Sequence, residues 1–354
     1  MLRDRISMND GWRFYEGEID GVRNRWGWGK SGSWNQGPES ADFDDSTWRR
    51  VELPHDFVIE STPYEYSVQE FGSDNAIPEM DTVRNIHTTA GSFKKDVGWY
   101  RKHFFVDASD LGRRIYIAFD GVYRDSIVYV NNFFVGRHQS GYTPFEYDIS
   151  DFLNYGGDNV IVVYVDAGKA EGGGIYRNVW LYKTAQVHVR DVFVKAVPKP
   201  EENLQESEEV SAELDIAVEI SSCEYVMGEG EKINFVKNDS SAVGVTADYS
   251  LEIMINSQEG TSVKHTVYDL KNINYGVTKY NLRSNISRAK LWDTENPFMY
   301  TAEIRLYKDG EVIDRCSQEF GVRSIYFDAD EGFMLNGRKV KLNGVCCHQN
   351  HGGV

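Results

Sequence analysis

The fold class is indicated most clearly by the stretch Ile115-Tyr-Ile-Ala-Phe-Asp-Gly-Val-Tyr-Arg-Asp-Ser-Ile-Val-Tyr-Val-Asn-Asn-Phe-Phe-Val135. Its first apolar residues recur at every second position, which is the pattern of a half-buried strand. Two more strand-like runs, Ser126–Val130 and Phe133–Val135, flank the turn-prone pair Asn131-Asn132. Strand, two-residue Asn turn and strand together predict a β-hairpin.

Strand patterns continue on both sides of this hairpin, and we find no convincing long amphipathic helix. Many short strands separated by Gly and Asn turns are typical of β-sandwiches, so we predict an all-β chain. The further predicted strands are Asn159–Val165, Val179–Tyr182, Val187–Arg190, Asp191–Val197, Val210–Ile220, Ala247–Ile255, Met299–Tyr307 and Val312–Phe320.

The domain boundaries depend on how the acidic segment Pro198–Glu209 is interpreted. It is either an interdomain linker or a long hairpin loop, and the strand-like runs on both sides favour the loop. The boundary then falls near Thr184. We predict a jelly-roll sandwich over 1–184, an immunoglobulin-like sandwich over 185–324, and a segment of different character over 325–354.

Composition excludes some classes of function. The 354 residues have a net charge of −17, which excludes a nucleic-acid binder that works by broad phosphate neutralisation and disfavours anionic membranes. The sequence has no apolar run long enough for a signal-peptide core or a membrane span. Four cysteines are too few for a disulfide scaffold, so we expect thiols and a cytoplasmic location.

Seven motifs follow one another in a characteristic order. They resemble the N-terminal part of glycoside hydrolase family 2, are most similar to bacterial β-galactosidases, and cover essentially the whole chain. The motifs are Trp48–Asp56, Gly98–Lys102, Phe119–Gly121, Gly141–Phe145, Gly172–Trp180, Leu291-Trp292 with Pro297 and Tyr300, and Phe333–Gly337 with Gly344–Gly352.

This resemblance implies a galactose-binding-like jelly roll, an immunoglobulin-like sandwich and then a catalytic (β/α)8 barrel. The barrel supplies two glutamates for a retaining mechanism. A barrel takes roughly 250 residues, and only 30 follow Ser324. We therefore expect Arg338–His348 to be the first strand of a truncated barrel, with neither catalytic glutamate present. We expect no cofactor here, because the family's magnesium and sodium ligands lie mostly outside these residues.

The resemblance also suggests substrate-binding residues. Asp56 matches a family position that contacts the sugar in the −1 subsite; otherwise it is an Asx-turn or a solvated acid. His348 and His351 lie where barrel enzymes place their chemistry, at the end of the first strand, and either contact substrate or bond locally. A metal site at Cys346, Cys347, His348 and His351 is disfavoured, because adjacent cysteines point to opposite faces of a strand.

Other residues receive mainly structural interpretations. We expect Arg177 to form a buried ion pair or a clamp on backbone carbonyls rather than to contact sugar. Trp26, Trp28 and Trp34 either stack on sugars or, preferably, pack over the sandwich. The long irregular segment 60–97 is either functional or disordered.

The most favoured function is a retaining β-galactosidase that acts on terminal β-galactosides and is represented here by its sugar-binding and scaffold domains. The alternatives are a family 2 β-glucuronidase or β-mannosidase, a stand-alone carbohydrate-binding module, and a cell-surface adhesion protein. A homo-oligomer is compatible with the family, although no sequence feature determines it.

Overall fold

A computed structural model of the chain describes residues 2–19, 37–60, 97–167, 172–199, 204, 209–223, 247–271 and 273–346. These residues divide into two compact units. The N-terminal unit spans Asp4–Lys183, and the second unit spans Thr184–Val345 together with Arg3. The prediction of an all-β chain is confirmed, because strands dominate both units.

The described residues of the N-terminal unit form ten strands in two sheets. One sheet has the order β1-β10-β5-β8, and the other has the order β3-β2-β4-β9-β6-β7. The strands are β1 Asp4–Ser7, β2 Trp12–Glu16, β3 Arg49–Val51, β4 Val97–Val106, β5 Arg114–Phe119, β6 Ser126–Val130, β7 Phe133–His138, β8 Phe145–Asp148, β9 Gly157–Asp166 and β10 Val179–Thr184.

The predicted hairpin is the pair β6 and β7, which are antiparallel. Asn131 and Asn132 have φ angles of 47° and 73°, the left-handed conformation that a type I′ turn needs at both central residues. The Asn131 side chain donates to Phe152 O at 2.8 Å and accepts from Val160 N at 2.9 Å, so the turn is anchored to its neighbours.

Strand β9 is buried on both faces, which explains its continuous apolar sequence. One face contributes Ile161, Val163 and Val165 to the core of the unit. The other face packs under a second apolar cluster that includes Trp48 and Trp99. Because both faces of β9 are buried, apolar side chains are favoured at every position rather than at every second one. This accounts for its run of valines.

In the second unit, too, the part that the structure describes forms ten strands. Its sheets have the orders β11-β12-β15, β14-β13-β16-β17 and β18-β19-β20. The strands are β11 Val187–Pro198, β12 Val210–Ser222, β13 Tyr249–Ser257, β14 Ser262–Leu270, β15 Gly276–Ala289, β16 Tyr300–Lys308, β17 Glu311–Phe320, β18 Ile325–Asp328, β19 Gly332–Leu335 and β20 Arg338–Lys339.

Strand β11 joins two runs that the sequence analysis separated. The pairing register with β12 shifts between Val189 and Asp191, so a bulge at Arg190 reverses the alternation within one continuous strand. Pro198 pairs with Ala212 across the hairpin, which confirms the loop interpretation of the acidic segment. That segment itself lies largely outside the described residues.

The last described segment differs from its prediction. Strand β19 and the turn at Asn336-Gly337 form as expected, with φ angles of 48° and 72° in the turn. Only Arg338 and Lys339 then pair as β20, and residues 340–346 form no strand. Strand structure requires backbone partners, and the bond from Val340 N to Phe333 O at 2.9 Å is the last one that β19 supplies. No closed barrel is present among the described residues.

Helical structure is minor in the described part of the chain. It consists of the helix α1, Phe57–Glu60, and two short 3-10 helices at Ala108–Asp110 and Ser150–Phe152. No helix in this part is long and apolar enough to cross a membrane. Among the cysteines that the structure describes, Cys316 and Cys346 are free thiols.

Candidate functional site

The N-terminal unit brings two of the sequence motifs together around Asp56. This carboxylate lies at the N-terminus of α1, where its Oδ1 accepts hydrogen bonds from Val58 N at 3.0 Å and Ile59 N at 3.3 Å. The same oxygen accepts from Gly173 N at 3.0 Å. Asp56 therefore caps the helix and ties it to the glycine segment 115 residues or more further along the chain.

The glycine segment approaches this loop too closely for larger residues. A Cβ placed on Gly172 would lie 2.7 Å from Asp56 Oδ2. Gly174 has a φ of 133° and borders Tyr100 Oη and His55 O. The backbone also bridges the two motifs, since Phe57 N donates to Gly173 O and His55 N donates to Ile175 O, both at 2.8 Å. Gly172 and Gly174 are thus required by close packing against Asp56 and His55.

The surroundings of Asp56 show the structural alternative given for it. The residue is half-buried, its Oδ1 accepts from Val58 N two residues further on, as in an Asx-turn, and the same oxygen accepts from Gly173 N. Its Oδ2 takes part in no hydrogen bond with the described residues. The structural role of Asp56 is therefore evident, and one oxygen remains to accept a hydrogen bond from a ligand.

A polar network with two buried members, His55 and Tyr100, lies next to Asp56. His55 Nδ1 is 2.7 Å from Tyr100 Oη, and His55 Nε2 is 2.9 Å from Arg49 Nη2 and 3.2 Å from Glu60 Oε2. Arg49 also forms an ion pair with Glu60. Tyr100 is fully buried and His55 is 7% exposed, so this network fixes the loop that carries Asp56.

Burial lowers the pKa of His55 below its ordinary value; Glu60 opposes this shift and Arg49 reinforces it. His55 therefore takes up its proton at a lower pH in the folded state than in the unfolded chain, where its pKa is about 6.5. Well above pH 6.5 neither state binds this proton, and the contribution of His55 to stability is constant. Below pH 6.5 the unfolded chain binds the proton first, so the contribution is lost as the solution becomes acidic.

We accordingly expect the stability difference between wild type and His55→Gln to shrink below pH 6.5, by at most about 1.4 kcal/mol per pH unit. Calorimetric unfolding between pH 5 and pH 8 measures this difference. His103→Gln serves as a comparison, because the His103 side chain is 51% exposed and its partner is the Asp45 carboxylate rather than a buried phenol. A gap between wild type and His55→Gln that stays constant over this range would contradict the assignment.

The structural role predicted for Arg177 finds no partner among the described residues. The residue is exposed, and the described residues provide no ion pair or carbonyl bond for its guanidinium. Instead its Cζ lies 5.3 Å from the centroid of the Tyr176 ring. The sequence could not show this, because residue types do not reveal which way a side chain leaves a loop.

Several other predicted residues lie outside the described part of the chain. They are His348, His351 and Cys347 near the C-terminus, Trp26, Trp28 and Trp34, and most of the segment 60–97. No group of three His, Cys, Asp or Glu side chains within the described ranges could hold a metal ion.

Sequence analysis missed a tyrosine cluster beside the glycine segment. Tyr123 N donates to Gly174 O at 2.8 Å, and the Tyr123 ring forms edge contacts with Tyr142 at 5.3 Å and Tyr176 at 6.4 Å. Tyr142 and Tyr176 both lie within motifs that the sequence analysis had identified. Both tyrosines therefore lay in recognised motifs, but their separation along the chain does not indicate that they contact the same ring.

Comparison with known proteins assigns the family. Residues 28–185 match the model described as "Glycosyl hydrolases family 2, sugar binding domain", and residues 232–323 match "Glycosyl hydrolases family 2". The chain belongs to glycosyl hydrolase family 2. This confirms the resemblance that the ordered motifs suggested, and the Asp56 and glycine motifs of this family 2 chain both fall within the first match.

Individual relatives carry two kinds of name. Beta-galactosidase BoGH2A of Bacteroides ovatus is 29% identical over 361 residues, covering 99% of this chain and 35% of the relative. A beta-galactosidase of Thermoanaerobacter pseudethanolicus is 30% identical and covers 87% of this chain. A beta-glucuronidase of Formosa agariphila is 25% identical and covers 86%. The chain spans about a third of the length of these relatives.

Solved structures support the same architecture. A crystal structure of a family 2 member from Bacteroides cellulosilyticus has a TM-score of 0.71 and 29% identity to this chain. The similarity covers 97% of this family 2 chain and 40% of the solved one. The described sandwiches are therefore the fold that a family 2 protein adopts in this region.

Proposed function

We propose that this chain is the N-terminal part of a retaining family 2 glycosidase that hydrolyses terminal β-galactosides. The observation that carries the proposal is the similarity to two proteins named beta-galactosidase, at 29% and 30% identity over 99% and 87% of the chain. In this proposal the described units supply sugar contacts and a scaffold. The acid/base and the nucleophile are glutamates outside these residues.

β-Glucuronidase activity is the second candidate. It is favoured by relatives named beta-glucuronidase, one of them 25% identical over 86% of the chain. The two substrates differ at C6, where a glucuronide carries a carboxylate and a galactoside carries a hydroxymethyl group. An assay of the complete product of the reading frame against nitrophenyl β-galactoside, β-glucuronide and β-mannoside separates these candidates. Preference for either of the latter two substrates would overturn the β-galactosidase proposal.

Asp56 is the residue of this chain that we assign to substrate binding. Its Oδ1 is occupied by three backbone N–H groups, which hold the carboxylate in one orientation. Its Oδ2 then accepts a hydrogen bond from a sugar hydroxyl. A charged acceptor fixed in this way discriminates well between hydroxyl orientations.

Two substitutions separate the structural and substrate roles of Asp56. Asp56→Asn retains an oxygen for the backbone bonds but places an NH2 group where Oδ2 stood. We expect it to lower kcat/KM of the complete enzyme at least tenfold, or about 1.4 kcal/mol, with little change in melting temperature. Asp56→Ala should lower both quantities, because the helix cap is also lost, at a cost of about 1 kcal/mol.

Kinetics on the complete enzyme and thermal unfolding of the same preparations measure these effects. Asp44→Asn is a suitable control, since Asp44 is an Asx-type residue that accepts from Ser46 N at 2.9 Å in the same unit. Wild-type kcat/KM in Asp56→Asn would show that Asp56 serves only to hold the loop.

A further inference from the structure

The tyrosine cluster forms an ordered aromatic surface, which we call the tyrosine platform and define as Tyr123, Tyr142, Tyr176 and Arg177. The Tyr142 ring meets Tyr123 at an interplanar angle of 81°, and Tyr123 meets Tyr176 at 71°. Arg177 continues the series, with its guanidinium over the Tyr176 ring. Loops some 50 residues apart in sequence thus supply one continuous row of rings.

The supporting rings are held in place by backbone contacts. Tyr176 Oη donates to Gly141 O at 2.6 Å, which ties the Tyr176 loop to the Tyr142 loop. A Cβ on Gly141 would collide with the Tyr123 ring, and one on Gly121 would lie 2.9 Å from Tyr176 Cζ. The two rings therefore lie directly on glycine backbone and have little freedom to move. A ligand that binds them loses little side-chain entropy on their account.

The outer end of the platform is open. Tyr142 is 65% exposed, and its hydroxyl is 3.4 Å from that of Tyr123, a long and weak hydrogen bond. Because it meets Tyr123 edge to face, Tyr142 retains ring area for another partner. Exposed and neighbouring polar groups are the Arg177 guanidinium and Thr143, whose Oγ1 is 3.0 Å from His138 Nε2.

This combination matches the chemistry of a pyranose ring. A sugar has an apolar face of C–H groups that stacks on an aromatic ring, and hydroxyls around its edge that bond to phenol and guanidinium groups. Tyrosine and arginine are also common at protein–protein interfaces, so packing of the platform against protein is one outcome that the test has to distinguish. The platform also falls within residues 28–185, the range that matches the sugar-binding domain of the family.

We propose that the tyrosine platform binds a β-linked oligosaccharide, with Tyr142 stacking on one pyranose ring and Arg177, at the other end of the row, bonding hydroxyl or carboxylate groups of a neighbouring ring. The inference deepens the proposed function, because it assigns to the N-terminal unit a contact with sugar residues beyond the bond that is cleaved. It requires binding alone and no catalysis by these residues.

Saturation-transfer NMR titrations of the 354-residue chain test this binding. The two probes are β-1,4-galactotetraose, which is neutral, and a hyaluronan tetrasaccharide, which carries glucuronate. We expect at least one to bind with a dissociation constant of about 1 mM, and Tyr142→Ala to weaken it at least fivefold. Tyr142→Phe should bind like wild type, since the ring face is retained. Phe105→Ala is the matched control, because Phe105 is 59% exposed on β4 of the same unit and lies outside the platform.

Arg177→Gln provides a second measurement should Tyr142→Ala prove unstable, and we expect it to weaken binding at least threefold. The proposal is overturned if neither probe binds to wild type, or if Phe105→Ala weakens binding as much as the platform variants. It is also overturned if binding is unchanged in both Tyr142→Ala and Arg177→Gln, in which case the rings pack against protein. The proposed glycosidase activity is assayed separately on the complete enzyme, so either conclusion can fail alone.

Discussion

A preparation of these 354 residues is expected to hydrolyse nitrophenyl β-galactoside, β-glucuronide and β-mannoside no faster than buffer does. The retaining route needs one carboxylic acid to protonate the leaving oxygen and a second carboxylate, about 5–5.5 Å away, to attack the anomeric carbon. Enzymes accelerate reactions at least about 10⁶-fold, so the deficit relative to a complete family 2 enzyme is at least that large.

Two of the buried carboxylates among the described residues are held by basic side chains. Asp314 is fully buried, but it accepts hydrogen bonds from Arg3 and from Val189 N. Asp110 is 5% exposed and pairs with Arg113 and Lys183. Carboxylates held by basic side chains are poor proton donors, and acids on sandwich surfaces face water.

The check is an initial-rate assay at several concentrations of the purified chain, run beside a mock purification from cells that lack it. Activity that rises with chain concentration and persists through a second purification would contradict the assignment of the chemistry to residues outside this sequence.

The sequence predicted strands well where a strand is half-buried or carries a turn signal at its end. Alternation identified β5 and β12, and Asn pairs or Asn-Gly marked the turns after β6 and β19. These signals are local, since the φ preference of Asn and the two faces of a strand depend on few neighbours. The bulge at Arg190 was missed because it reverses the alternation that defines a strand.

The site was less predictable because its contacts join distant parts of the chain. Asp56 was recognised as a candidate through its motif, but its bond to Gly173 N depends on how two loops meet. The same applies to the contacts of Tyr142 with Tyr123 and of Arg177 with Tyr176. Residue type limits what a side chain can do, whereas the tertiary fold decides which partner it finds.

The role of Arg101 is apparent only from the fold. Of the substitutions described above and below, we expect its replacement to lower the stability of the N-terminal unit most. This arginine on β4 is 0% exposed. Its Nε donates to Asp45 Oδ2 at 2.9 Å, and its Nη1 donates to Ser40 O at 2.9 Å and to Pro38 O. One guanidinium therefore organises the segment that covers the outer face of the six-stranded sheet.

We expect Arg101→Met to lower the free energy of unfolding of the N-terminal unit by about 3–5 kcal/mol. Removing one partner of a buried ion pair leaves the other charge and several carbonyls without donors. Arg5→Met makes the same chemical change at an exposed position, where Arg5 lies over Trp180 at 3.7 Å. That control should cost no more than about 1 kcal/mol. The double variant Arg101→Met, Asp45→Leu should recover part of the lost stability, since it also removes the carboxylate that Arg101→Met leaves unpaired.

The pH dependence of the loss of stability in Arg101→Met tests whether the charge left unpaired is the Asp45 carboxylate. Burial raises the pKa of Asp45, but hydrogen bonds from Arg101 and His103 outweigh it and hold the pKa below its ordinary value. The ion pair therefore stabilises the fold above about pH 4, and this stabilisation is lost as the pH falls through the lowered pKa. In Arg101→Met the carboxyl can take up a proton more readily, so the difference from wild type should shrink below about pH 4. A loss under 1 kcal/mol at pH 7 would mean that water replaces the guanidinium, and that the cover over the sheet is held by apolar packing.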